Sequence, residues 1–159
     1  MTTTNGADGG PDAAHRIPDG VDPATIEALG KLSEGLEVIE HARGYLYGFH
    51  RFSGMADLAI GEAVDLFRKA GHDDIAERIQ RDIVGRNVIN GRWTFQIVED
   101  YDDNYWSAVR DAERAAREEL VGGRRHLFEA QMKEDRRTHG LAHHEATPAD
   151  VGETTPDEH

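Results

Sequence analysis

Cysteine is absent from this 159-residue chain, which excludes disulfides, thiolate metal sites and cysteine nucleophiles. Proline occurs only at residues 11, 18, 23, 148 and 156, so residues 24–147 contain none. So long a stretch without the strongest helix breaker predicts helix throughout. Positive charge is scarce: 18 Lys and Arg stand against 31 Asp and Glu, a net charge of -13. That balance argues against nucleic acid or an anionic membrane surface as a partner. No apolar run approaches the ~18 residues of a membrane span, and no charged start leads into an apolar stretch. A soluble, cytoplasmic chain is expected.

Several catalytic signatures are missing too. None of Ser33, Ser53 and Ser107 lies in a Gly-x-Ser-x-Gly elbow, and Gly122-Gly123 follows a helical pattern instead of the strand that a phosphate loop needs. A helical bundle invites a carboxylate-bridged di-metal site, but the chain has no Glu-x-x-His pair. The reversed His126-x-x-Glu129 occurs once, and Glu119 is the only carboxylate near the middle of an expected inner face. A di-metal bundle is therefore a remote alternative. His139, His143 and His144 could hold a metal loosely, as an adventitious site in a tail. No metal and no cofactor is assigned.

What is present is helical periodicity between two polar ends. Residues 1–21, rich in Gly, Asp and Thr, and residues 141–159, with five acids and no Lys or Arg, read as a disordered leader and a disordered acidic tail. Residues 22–140 read as one helical-bundle domain. Asp22 and Pro23 open the first helix, whose stripe is Leu29, Leu32, Leu36, Ile39 and Leu46, and which runs to about Phe52. Ser53 then caps a second helix, with a core face of Met55, Ala59, Ala63, Leu66, Phe67 and Ala70 ending at Gly71. Asp73 or Asp74 starts a third, with Glu77 in capping-box spacing, running to the Asn90-Gly91 turn. A long fourth helix carries Thr94, Val98, Tyr101, Tyr105, Val109, Ala112 and Ala116 inward. Gly122-Gly123 ends it, and a short fifth helix follows. Short turns between helices imply antiparallel neighbours. The expected fold is all-α: an antiparallel up-down four-helix bundle with a short additional C-terminal helix.

Polar residues interrupt these inner faces. Arg43 and His50 continue the leucine stripe of the first helix, Arg86 and Asn87 fall on the side of Ile75, Ile79 and Ile83, and Tyr101 and Tyr105 lie on the fourth helix. In an up-down bundle all six converge at one end, with Glu40, Glu62 and Asp102 as the carboxylates in reach. A buried guanidinium needs acceptors. These are either internal carboxylates that fix helix register, or a bound anionic small molecule clamped by Arg43 and Arg86, with His50 as general acid or base.

A second signal is apolar. Tyr45, Phe49 and Phe52, with Phe95 and Trp106, lie off the core stripes at one end, and Gly44 and Gly48 leave room for a close helix. Such a face is covered either by the C-terminal helix, through Leu127, Phe128 and Met132, or by another subunit. The leading expectation is a non-catalytic helical bundle acting through self-association or a protein partner. The alternative is a protein or enzyme that binds a small anion through the polar cluster.

Overall fold

A computed structural model of the chain describes residues 9–147. The fates expected for residues 1–8 and 148–159 lie outside the described residues. The fold is all-α: among the described residues there is no strand, only an isolated bridge between Ile89 and Arg92. The helices are α1 (Pro23–Lys69), α2 (Asp73–Asp82), α3 (Thr94–Asp100), α4 (Ser107–Val121) and α5 (Leu127–Arg136), with a π-helical turn at Tyr101–Trp106 between α3 and α4. The chain divides into two compact units, one of residues up to Glu34 together with those from Ala112 onward, the other Gly35–Asp111.

Local signals act as the sequence predicts at several ends. The Thr25 N–H donates to Asp22 Oδ1 at 2.9 Å, capping α1 ahead of Pro23. At the other end of α1, Gly71 has φ +81°. The His72 N–H reaches the Phe67 carbonyl at 2.9 Å and the Gly71 N–H the Arg68 carbonyl at 3.1 Å, the paired bonds of a Schellman cap. Gly122 and Gly123, both at positive φ, follow the last residue of α4.

The expected break at Ser53 does not occur. α1 is one helix of 47 residues, and Ser53 and Gly54 lie within it. No proline interrupts here, and one interior glycine costs only about 1 kcal/mol against Ala, too little to end a helix packed on both sides of it. Continuity fixes which residues turn inward. From Gly35 on, the line of half-buried or buried residues is Leu36, Ile39, Arg43, Leu46, His50, Ser53, Asp57, Ile60, Val64 and Phe67. Its steps alternate between three and four, a heptad seam. Met55, Ala59 and Leu66, expected in the core of a separate second helix, face outward instead.

α2 also differs. It begins at Asp73 without a side-chain cap and ends at Asp82, because Gly85 takes φ +73° and its N–H is held by Asp57 Oδ1 at 2.7 Å. Arg86, Asn87 and Asn90 therefore lie in the connection to α3, exposed, and never join the face of Ile79. In this unit Val64, Ala76 and Val98 are the buried hydrophobic residues. In the other, Ile26, Val121 and Leu127 form a core with Ile17, Val21 and Leu29 against it. Ile17 and Val21, read from sequence as leader, are thus packed.

Close packing at Gly30 gives a first prediction. A Cβ there would come within 2.8 Å of Phe128 Cγ and 3.0 Å of its Cβ, whereas one at Gly54 meets nothing within 4 Å. Gly54→Ala is expected to raise stability by about 1 kcal/mol, as alanine does in an open helix interior. Gly30→Ala is expected to lower it by about 1 kcal/mol, because overpacking outweighs the propensity gain. Urea denaturation of the two variants checks this; equal shifts of one sign would contradict it.

Candidate functional site

The π-helical turn builds the polar centre. The Ser107 N–H donates five residues back, to the Asp102 carbonyl. Asn104 Nδ2 and Ser107 Oγ bond the Asp100 and Asp103 carbonyls at 3.1 and 2.7 Å, the side-chain competition for carbonyls that loosens α-helical pairing. The extra residue in the turn shifts the inward face toward the following positions, Trp106, Glu113 and Arg117. After Val98, Asp102, Trp106, Arg110, Glu113, Arg117 and Val121 are withdrawn from solvent beside the expected Tyr101, Val109 and Ala116. Tyr105 and Ala112, expected to face inward, are exposed. π-turns within helices recur at functional sites, and here the turn aims Asp102 at Arg43.

Arg43 Nε donates to Asp102 Oδ1 at 2.6 Å and Nη2 to Oδ2 at 2.8 Å, a bidentate pair. The Tyr47 hydroxyl donates to the same Oδ2 at 2.8 Å. The Arg43 guanidinium lies 4.4 Å from the Trp106 ring centroid, and that of Arg110 lies 4.6 Å from it. The Asp102 carboxyl is held below the usual carboxylate range chiefly by its bonds to Arg43, and Arg43 is raised reciprocally. The Tyr47 hydroxyl is pushed up, first by its bond to Asp102. Burial raises Tyr101, whose hydroxyl donates to the Ile39 carbonyl at 3.2 Å.

The six residues expected to converge are thus distributed. Arg43 and Tyr101 belong to the Asp102 centre. Tyr105 is exposed and meets Tyr101 edge-on at 5.5 Å. His50 Nδ1 is paired with Thr94 Oγ1 at 2.8 Å. Arg86 and Asn87 are exposed on the connection after α2, and Glu40 and Glu62 are exposed on α1. Arg43 is closed by Asp102, one of the three carboxylates proposed for it. Tyr47, Trp106 and Thr94 complete the arrangement: Thr94 lies on the inward stripe expected for it, Trp106 was expected only in the aromatic group, and Tyr47 was not singled out. Arg43, His50 and Asp57 follow one another at seven-residue steps along the seam, each with a partner from beyond α1: Asp102, Thr94 and the Gly85 N–H. Polar residues at such seam positions specify register.

A second polar network lies in the other unit. Arg117 Nε and Nη2 clasp both oxygens of Glu113 at 2.9 and 3.0 Å, Ser33 Oγ donates to Glu113 at 3.2 Å, and Arg117 Nη1 donates to the Gly123 carbonyl at 3.1 Å. The Glu113 carboxyl is lowered, chiefly by Arg117. An i, i+4 Glu–Arg pair is visible in the sequence, but the expected register put Ala112 inward in place of Glu113. In the same unit Arg137 donates to Glu134 at 2.6 Å, and with His139 it lowers the Glu134 carboxyl to about 2. His139 is engaged by Glu134, and His144 Nδ1 accepts from the Thr138 N–H at 3.2 Å. Among the described residues no group of three or more His, Asp or Glu is placed to hold a metal ion.

These carboxylates set the pH response. Asp102, Glu113 and Glu134 all have folded values below their unfolded ones. Their stabilisation is fully present above the ordinary carboxylate range and is lost as pH falls through the folded values. The melting temperature is expected to hold near neutrality and to fall steeply below about pH 4. A melting temperature unchanged from pH 6 to pH 2.5 in a thermal scan would contradict this.

A surface groove of about 460 Å³ runs beside the N-terminal end of α1, lined by Ile17, Pro23, Ile26, Phe128, Met132 and Arg136 among others. Glu27, Asp135 and Arg136 supply its charged groups and Gln131 its amide. Leu127 packs with Ile26 and Val121, while Tyr45 and Phe52 stay 70% and 66% exposed. Phe49, Phe95 and Trp93 are exposed as well. No family model, no curated protein and no solved structure matches this chain, so its function is read from its own geometry.

Proposed function

We propose that this protein is a non-catalytic, cytoplasmic helical-bundle protein that acts by self-association or by binding a protein partner through the outer face of α1. One observation carries the reading: the arginine that looked most like a ligand clamp is closed within the chain by Asp102 and Tyr47, while large apolar side chains of α1 stand in solvent. Closed polar groups specify register, and an apolar face of this size marks an interaction surface. The antiparallel up-down arrangement belongs to this proposal. In Gly35–Asp111, the pairs Ile39 with Tyr101 and His50 with Thr94 run in opposite directions along α1 and α3, and helices from a partner would complete a four-helix layer.

Native mass spectrometry of the untagged chain tests the reading. An assembly of chains, or a chain carrying a second polypeptide, is expected. A small-molecule or metal mass that is lost on denaturation would overturn it in favour of ligand binding, and a bare monomer would remove self-association.

A further inference from the structure

α1 carries two heptad seams, and only one of them is filled. The first is the line through Arg43, His50 and Asp57. The second runs 38, 42, 45, 49, 52, 56, 59, 63, 66, again in alternating steps of four and three, and every residue on it is apolar. Its bulky members Val38, Tyr45, Phe49, Phe52 and Leu66 are all exposed, and of its alanines 42, 56, 59 and 63 only Ala63 is half-buried. Over the same stretch the filled seam holds Arg43, His50, Ser53 and Asp57. The outer seam is thus the more apolar of the two.

Building on the self-association reading above, we propose that the outer seam packs antiparallel against the same seam of a second copy of this chain, about a twofold axis beside Gly54. The order of sizes along the seam selects this arrangement. Pairing about residue 54 sets Phe52 opposite Ala56, Phe49 opposite Ala59, and Tyr45 opposite Ala63. Further out, it sets Leu66 opposite Ala42 and Val38 opposite Ala70. Each bulky side chain meets an alanine, so knobs enter open holes without overpacking. A parallel pair in register would instead oppose Tyr45, Phe49 and Phe52 to themselves and leave alanine facing alanine, bulk at one end and voids at the other. The sequence is self-complementary only when reversed.

Length and area agree. The paired stretch from 38 to 70 is about 48 Å of helix. At ~200 Å² for a fully exposed aromatic ring, the five bulky side chains expose roughly 500 Å² per copy. Two copies would therefore bury about the 1,000 Å² that a specific interface requires.

Sedimentation equilibrium of the full chain, whose monomer is 17.7 kDa, is expected to show a dimer at micromolar concentration. Ala59→Glu sets a charge against the partner's aromatic rings while staying solvated in the free chain. It is expected to weaken the dimer at least 100-fold with helicity retained. Because the chain has no cysteine, single-cysteine variants then read direction independently of any folding defect. A mixture of Tyr45→Cys and Ala63→Cys chains is expected to oxidise to the mixed disulfide. Tyr45→Cys alone should not cross-link, since antiparallel copies of that residue lie about 27 Å apart along the helix. A monomeric parent overturns the second copy as occupant, whereas the binding reading falls only to the ligand mass described above. A dimer that cross-links through Tyr45→Cys alone overturns the antiparallel arrangement. A dimer indifferent to Ala59→Glu and giving no mixed disulfide overturns the seam.

Discussion

Replacing Glu113 with alanine is expected to destabilise the protein by about 3 kcal/mol, the cost of leaving a buried guanidinium without its carboxylate. Glu113 is only 7% exposed, and Arg117 spends two of its donors on it. After the substitution Arg117 keeps the Gly123 carbonyl but loses both charge-assisted bonds, and the Ser33 hydroxyl loses its acceptor. The melting temperature should fall by about 10 °C for a chain of this size. Glu113→Leu combined with Arg117→Leu should recover most of that loss, because well-packed apolar residues replace a buried ion pair at little net cost. Thermal and urea denaturation of the single and double variants make the comparison. If Glu113→Ala lies within about 1 kcal/mol of the parent, the pair is not the buried unit described here.

Asp102→Ala is expected to cost about 2 kcal/mol. The effect is smaller than at Glu113 because the Arg43 side chain keeps 32% of its surface in solvent and Asp102 keeps 18%. Three hydrogen bonds end on this carboxylate, two from Arg43 and one from Tyr47. Asp102→Asn retains one acceptor oxygen and should fall between alanine and the parent. The loss should also show in the near-ultraviolet circular dichroism of Trp106, whose ring lies beside the Arg43 guanidinium. An unchanged aromatic spectrum with unchanged stability would mean that the Arg43–Asp102 pair does not hold α1 to the π-turn.

How much of this was legible in the sequence varies with the range of the force involved. Asp22 with Pro23, Gly71, Asn90-Gly91 and Gly122-Gly123 each act within a few residues, and each produces the local geometry its chemistry dictates. The start of α2 was placed correctly, although no side chain caps it. Its end was placed eight residues late, because the left-handed Gly85 is held by Asp57, 28 residues away. A wheel drawn on residues 73–90 alone contains no trace of that bond. Arg86 and Asn87 were assigned to the polar centre for the same reason, and they lie outside it.

The candidate centre was half legible. Arg43 and Tyr101 were placed on inner faces and Asp102 at the margin of its stripe as one of three possible counter-charges; Arg43 pairs with Asp102, and Tyr101 bonds the Ile39 carbonyl instead. Tyr105 was wrong by one position, and Glu113 and Arg117 were missed altogether. Both errors have one cause: the extra residue of the π-turn brings Trp106, Glu113 and Arg117 inward beside the expected Val109 and Ala116, and a constant 100° per residue cannot anticipate it.

By itself, then, the sequence determined an all-helical chain, the acidic balance that disfavours nucleic acid, most helix ends, and the existence of polar groups and surplus aromatic residues on α1. These follow from composition, periodicity and short-range capping. Only the tertiary structure decided that α1 continues through Ser53, that the chain closes Arg43 on Asp102, and which of two apolar lines on α1 is used within the chain. In an unbroken helix the inward face is set by packing along its whole length, so residues 53–69 follow the seam begun at Leu36 even though their own most apolar face points the other way.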